Sequence, residues 1–444
     1  MKSKIIYLSI ICVSIVFSSC KKMFQAPEGE LIGASYGSSK RGIVEGSPLG
    51  MVFIEGGNFT MGPMDAEQVE AQGVVARNVS VNSFWMDDTE ITNAEYRQYI
   101  FWVRDSLLRT KLAELEPEYR IDQDRFGNPI DPPRINWSRR IDYKRNENIK
   151  LIYEEEFYLK PADRITGQPL FDFRKLSYRH TYFDMEAALR STVNNTPEQS
   201  RANTRGLNSF MREEITPVYP DTLCWFTDFA LSFNEPLVKN YFWHPAYDQY
   251  PIVGVTWTQA QAFCRWRTKY YNKAMAARGI TTTTEFTLPL ESEWEYAARG
   301  GLSNSIYPWG GPYLTNSKGC YLANFKPRRD DYAADGWYTT APVGSFDPNG
   351  YGLYDMAGNV AEWTQSAYDE SYTAIKGNMD PDYTYDASPD DPPAMKRKVV
   401  RGGAWNDTKY YLNVGIKTYE YQDSARSYIG FRCIKRVLGS KLSK

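Results

Sequence analysis

Histidine is nearly missing from this chain: 444 residues hold two, His180 and His244. So few imidazoles put a histidine-ligated transition-metal centre out of reach, and each reads as an ordinary surface or capping residue. Serines near glycine are plentiful, yet no G-x-S-x-G elbow occurs, which removes the usual signature of a serine hydrolase. Gly42, Gly46 and Gly50 lack the Lys and Ser/Thr that complete a phosphate loop. Neither sign of charge dominates. Lys and Arg number 52 against 54 Asp and Glu, a formal charge of −2, so nothing suggests a nucleic-acid or polyphosphate ligand. Cysteines number only six, and no stretch beyond Cys20 is apolar enough to span a bilayer.

What is present begins with a leader. Lys2 and Lys4 precede an apolar stretch, Ile5 to Phe17, that is short for a membrane span. Phe17-Ser18-Ser19-Cys20 follows and resembles a bacterial lipobox. That resemblance implies a signal peptide over 1–19 and a lipidated Cys20; the alternative is an ordinary secretory signal with an incidental cysteine. Lys21 and Lys22, where an Asp would signal inner-membrane retention, favour an outer-membrane anchor. Acyl chains contribute about 0.8 kcal/mol per buried methylene, enough for stable anchoring when several act together. Residues 20–48 read as a Gly- and Ser-rich linker, and 437–444 as a basic tail. Aromatics at 15% and charged residues at 24% describe a large globular ectodomain rather than a disordered one.

The folded part opens at residues 50–62, GMVFIEGGNFTMG, where glycine pairs between apolar residues predict a hairpin. Val79 to Trp85 alternates as a strand. Thr92-Asn93-Ala94-Glu95 is a capping box opening a helix with Tyr96, Tyr99, Ile100 and Val103 on one face. Thr258 to Gln261 is expected to cap a second helix through Cys264 and Trp266. At 287–301, TLPLESEWEYAARGG, Leu290 stands at the helix cap, so Glu291, Ser292 or water must supply the missing acceptor. Further on come residues 349–363, NGYGLYDMAGNVAEW, then 400–405, VRGGAW, and 430–433, GFRC.

These six motifs, in this order over 50–103 and 251–436, resemble the formylglycine-generating enzyme (sulfatase-modifying factor) superfamily. The resemblance implies an α+β fold, irregular and C-type-lectin-like, filling residues 49–436 around a large insertion at 104–250. In active members the segment after the Arg-Gly-Gly motif carries two cysteines five residues apart, which bind copper and attack the substrate thiol. Here those positions are Leu412 and Lys417, and no cysteine or histidine lies between Trp405 and Cys433. A thiolate serves as soft ligand and nucleophile, so the expectation is a pseudoenzyme with no catalytic residues and no copper. The resemblance also implies two structural calcium sites. One is Asn324 with the Phe325 carbonyl and Asp335 with the Trp337 carbonyl. The other is Asp355, the Gly358 and Val360 carbonyls, and Glu362. Hard oxygens of this kind suit Ca²⁺. A disulfide between Cys264 and Cys433 is implied likewise, whereas the pairing of Cys224 and Cys320 stays open.

The insertion is polar and Tyr-rich, broken by prolines, and is expected to pack on the core as short elements rather than as a separate domain. Together with the empty active site and the leader, it resembles the gliding-motility and type IX secretion lipoproteins called GldK or PorK; the related GldJ shares the scaffold. That likeness implies an outer-membrane-tethered, periplasm-facing ring or scaffold subunit. Its partners would be a GldN/PorN-type periplasmic subunit, further copies of itself within a hetero-ring, and other secretion components, with no nucleic acid. Arg134, Arg139, Arg140, Trp225 and Trp243 are the expected partner contacts, because Arg and Trp anchor interfaces. Two rival readings stand beside this one: a carbohydrate- or peptidoglycan-binding lipoprotein, and an enzyme with altered chemistry using Cys224 or Cys320.

Overall fold

Among the described residues fourteen short strands and six α-helices are joined by long irregular loops. The computed structural model describes residues 48–437 apart from 65–75, 125, 144–145, 165–166, 184–209, 230–234, 281–283 and 371–381. Cys20, the linker before residue 48 and the tail beyond 437 lie outside the described residues. In chain order the elements are β1 (Met51–Ile54), β2 (Gly57–Met61), β3 (Arg77–Val81), β4 (Phe84–Asp87) and α1 (Asn93–Leu115). Then follow β5 (Arg120–Gln123), β6 (Pro129–Ile135), α2 (Glu147–Ile152), β7 (Ser177–Phe183), β8 (Met211–Pro217), α3 (Cys224–Thr227) and α4 (Glu235–Asn240). The rest are α5 (Trp257–Ala277), β9 (Phe286–Thr287), α6 (Glu291–Ala298), β10 (Ala361–Ala367), β11 (Arg397–Arg401), β12 (Thr418–Tyr421), β13 (Ile429–Gly430) and β14 (Ile434–Arg436).

Two four-stranded sheets organise the molecule, with strand orders β1-β4-β14-β9 and β12-β11-β10-β13. The second sheet sets Glu362 opposite Arg401 on one side and Gly430 on the other. Three sequence motifs thereby meet in one register. The expected hairpin over 50–62 is corrected: β1 pairs with β4 and β2 with β3. Between them the backbone runs tight against the β3–β4 turn. A Cβ on Gly56 would meet Ser83 N and Val81 O at 2.7 Å, so only glycine lets the chain cross from one sheet to the other there. The single strand expected over 79–85 is accordingly split in two.

Helix α1 starts on the expected box, with Thr92 and Glu95 satisfying each other's amides, and buries Tyr96, Tyr99, Ile100 and Val103. It then runs on through Leu108 and Leu112, so the expected insertion boundary at Arg104 falls inside a helix. Helix α5 is capped by Thr256 and Gln259, two residues earlier than expected. The inserted segment does pack on the core. Leu108, Leu112, Tyr119, Ile149, Ile152, Phe157, Leu176 and Tyr178 share one apolar cluster with Tyr96, Phe263 and Trp266. Among the described residues no helix is long and apolar enough to cross a membrane.

Candidate functional site

The positions expected to hold two cysteines are filled. Leu412 is fully buried in a cluster with Tyr307, Ala323, Phe325 and Ala357. The turn before it presses close: Gly403 lies at φ +67°, and a Cβ there would meet the Tyr411 carbonyl at 2.8 Å. Lys417 points into a buried charge network beneath helix α6. Its Nζ lies 3.5 Å from Glu291, which also receives Arg401 at 2.6 Å. Glu295 holds Arg401 at 2.9 Å, Arg299 at 2.5 Å and the Gly62 amide at 2.8 Å. Burial alone would raise the Glu291 carboxyl, but Lys417 and Arg401 outweigh it and hold it below the ordinary carboxylate value. An ammonium paired in this way is neither a soft ligand nor a thiol nucleophile.

Helix α6 also shows how the missing cap is met. The Glu291 amide donates to Ser366 Oγ at 2.9 Å and the Ser292 amide to Asp382 Oδ1 at 3.0 Å. The acceptors come from 75 and 90 residues away, not from Glu291 or Ser292 as expected. Burial pushes the Asp382 carboxyl up to about 6, with Ser292 hydrogen bonds opposing and Glu291 reinforcing the rise. An acid whose folded pKa exceeds its unfolded value of about 3.8 favours folding fully below that value. The gain is lost as pH rises through about 6. Asp382→Asn is therefore expected to flatten the rise in melting temperature between pH 7 and pH 5; an unchanged slope would remove Asp382 from this account.

The two acidic loops lie side by side, linked by Asn359. Its amide N donates to the Asn324 carbonyl at 2.8 Å, and its side chain donates to Glu90 at 3.0 Å. In the first loop Asp335 accepts from the Phe325 and Trp337 amides at 2.7 and 3.2 Å, and burial raises its carboxyl. Asn324 Oδ1 is buried with no hydrogen-bond partner among the described residues. An orphaned amide oxygen beside a desolvated carboxylate is what a hard cation would satisfy, so this donor set fits calcium. In the second loop Asp355 sits at φ +53° and Asn359 at φ +61°. Gly358 is indispensable there, because a Cβ would lie 2.3 Å from the Asn324 carbonyl.

Glu362 has a different role from the one expected. Its carboxylate is fully buried and taken up by Arg432 at 2.6–2.9 Å and by Trp294 Nε1 at 2.8 Å. The acid left over in this pocket is Glu90, whose buried Oε2 has no partner among the described residues. Burial and then the charge of Asp355 push Glu90 well up, and burial raises Asp355 to about 6. Nothing local in the sequence marks Glu90, and its nearness to Asp355 arises only on folding. Among the described residues no three His, Cys, Asp or Glu side chains form a metal cluster, so any ion here depends on amide and carbonyl oxygens as well.

Cys264 and Cys433, the pair expected to form a disulfide, are both buried and lie side by side. Their sulfurs lie 3.4 Å apart. Cys224 is buried and its thiol pushed up by burial, which opposes the reactive-thiol reading, while Cys320 is exposed and free. Of the expected partner contacts, Trp225 is 1% exposed, seated between Tyr241 and Trp405, and cannot meet another chain. Trp243 is engaged internally too, donating to the Tyr219 hydroxyl at 2.6 Å and packing at a tilt against Phe173. Trp225 is corrected to a core residue, because the neighbouring loops supply its aromatic partners, whereas Trp243 stays half-buried at the edge of the core. Arg134, Arg139 and Arg140 remain on the surface.

Comparison with known proteins agrees with this geometry. Residues 40–157 and 230–437 match the profile described as the sulfatase-modifying factor enzyme 1-like domain, leaving 158–229 as the unmatched interval, narrower than the expected 104–250. An inactive C-alpha-formylglycine-generating enzyme 2 of Bos taurus is 35% identical over 191 residues, 42% of this chain and 50% of the relative. The formylglycine-generating enzyme of Bos taurus is 25% identical over 392 residues, 87% of this chain and 74% of the relative. The chain spans 50% and 58% of the two inactive relatives, those of Bos taurus and Mus musculus. Among solved structures, PvdO from Pseudomonas aeruginosa aligns with 87% of this chain and 94% of its own, at a TM-score of 0.45 and 16% identity.

Proposed function

The chain belongs to the sulfatase-modifying factor enzyme 1-like family, and from that premise we propose a member without catalysis. In this reading it is a lipid-anchored outer-membrane protein, held through Cys20, that serves as a structural ring subunit of the type IX secretion and gliding-motility machinery. Its partner would be a periplasmic subunit of the GldN/PorN type. The observation that carries the non-catalytic part is the filled site: Leu412 packs in the core and Lys417 is bound to Glu291. Inactive relatives support it. The test is incubation of the purified protein with copper and a sulfatase-type cysteine peptide. No formylglycine product is expected, and its appearance would sink the reading.

Assembly is tested on the surface arginines. Arg139 is exposed and forms an ion pair with Glu118 at 3.0 Å, an interaction worth about 0–1 kcal/mol to folding. Charge reversal at Arg139 and Arg140 is expected to weaken the large complex formed with the co-expressed partner while leaving the thermal melt of the subunit nearly unchanged. Gel filtration showing normal assembly would remove these arginines from the interface.

Calcium is proposed as a structural ion, held by Asn324 and Asp335 and by the Asp355–Glu90 pocket. It would clamp loops and take no part in chemistry. A site occupied at about a hundredfold over its Kd stabilises by about 2.7 kcal/mol, so chelation should lower the melting temperature by roughly 5 °C. Asn324→Ala should abolish most of that response. Identical melts with and without chelator would show that the loops hold themselves.

A further inference from the structure

Strands β7 and β8 form a two-stranded ribbon that no third strand joins among the described residues. The register pairs Ser177 with Pro217 at one end and Phe183 with Met211 at the other. The Val218 amide donates to the Leu176 carbonyl at 3.0 Å. Hydrogen-bonded pairs therefore recur at every second position, Tyr178 with Thr216, His180 with Glu214 and Tyr182 with Arg212. The alternate residues of β8, Met211, Glu213 and Ile215, turn their backbone amides and carbonyls away from β7. One face of the ribbon packs on the body: Tyr178 lies 5.6 Å from Tyr99 and 6.1 Å from Trp102 between ring centroids, and Glu214 binds Arg265. Met211, Glu213 and Ile215 share the other face, where Met211 is 43% and Ile215 55% exposed.

Edge strands are ordinarily guarded by charge, and β8 carries Arg212, Glu213 and Glu214. Their order guards the edge against foreign strands but fits a second copy of the same strand. A β8 laid antiparallel about Glu213 sets Met211 opposite Ile215 and Arg212 opposite Glu214, each pair occurring twice across the axis. Opposite charges and apolar pairs facing one another across strands stabilise a sheet. Only Glu213 meets its own copy, and Arg179 pairs with it at 3.0 Å within each chain. The backbone agrees with this register, because the three residues with outward groups meet one another and no inward one. Registers centred on Arg212 or on Glu214 set like charges opposite and put a glutamate against Met211 or Ile215, which disfavours both.

We propose that β8 is a self-recognition edge, through which two copies of this chain join as a continuous β7-β8-β8-β7 sheet across a twofold axis. The inference goes beyond the secretion reading and stands without it. The test places Glu213→Cys, or Thr181→Cys on the opposite edge of the ribbon, in the purified full chain with the exposed Cys320 replaced by serine, and adds a short bismaleimide. Facing Cα atoms of a hydrogen-bonded antiparallel pair lie about 5.5 Å apart, so Glu213→Cys should give a covalent dimer. Two copies of Thr181 would lie three strand spacings apart, about 14 Å, and Thr181→Cys should cross-link far less. Glu213→Pro removes an amide that β7 does not use, so the melt should stay nearly unchanged while self-association, read by sedimentation equilibrium, weakens about tenfold or more. Ile215→Lys, at an exposed position, should weaken it likewise. A monomeric wild type, equal cross-linking at the two positions, or undiminished association in both variants would overturn the proposal.

Discussion

Replacing Arg432 by methionine is expected to lower the unfolding free energy by about 3–5 kcal/mol, the cost of breaking a buried ion pair from one side. Its guanidinium is fully buried and binds Glu362, and it also donates to the carbonyls of Asp87, Asp88 and Tyr354. It is moreover a nearby cation for Glu90 and Asp355, whose carboxyls burial already raises. Without it Glu362 is left buried and unpaired, and Glu90 and Asp355 lose that counter-charge, so their raised carboxyls climb further. Groups raised in the folded state favour folding at low pH and oppose it as pH rises. The deficit should therefore be largest near pH 7.5 and shrink toward pH 5 in urea unfolding. Pairing the change with Glu362→Leu should recover part of the loss, since removing both charges leaves neither unpaired. A loss under about 1 kcal/mol, flat with pH, would mean the pair is not central to the fold.

Glu295→Ala is expected to cost a similar 3–5 kcal/mol with a different pH signature. Glu295 is fully buried and holds Arg401, Arg299 and the Gly62 amide together. Its removal leaves two buried guanidiniums with Glu291 as the nearest carboxylate, already shared with Lys417. Arginine does not neutralise in the accessible range, and Glu291, held below the ordinary carboxylate value, stays ionised at pH 5, so acid brings no relief and the deficit is expected to persist from pH 7.5 to pH 5. Denaturant melts at pH 5 and 7.5 separate the two variants directly. Recovery of the Glu295 variant at pH 5 would contradict the charge assignment.

Much of this molecule is legible in short stretches of residues. The box at Thr92 and Glu95 and the buried face of α1 follow from neighbours in sequence. So does the family, from six motifs in order. The second helix cap was displaced by two residues because Thr256 and Thr258 offer the same local chemistry, and only the packing of Trp257 against the Thr364 carbonyl, at 2.8 Å from Nε1, distinguishes them. The inserted segment was legible as short packed elements, yet its boundary was not, because α1 continues across it without a change of period.

By itself the sequence determined the family and the start of α1, since capping, periodicity and residue identity act within a few residues of one another. Tertiary structure alone decided where charge and polarity balance. Glu362 meets Arg432 across 70 residues, Asp87 meets Arg267 across 180, and Ser366 and Asp382 accept from the Glu291 and Ser292 amides of a helix whose N-cap, Leu290, has no side-chain acceptor. Trp225 likewise belongs to the core rather than the surface. A buried group must find its partner wherever the chain's path brings one, and no local pattern records that path.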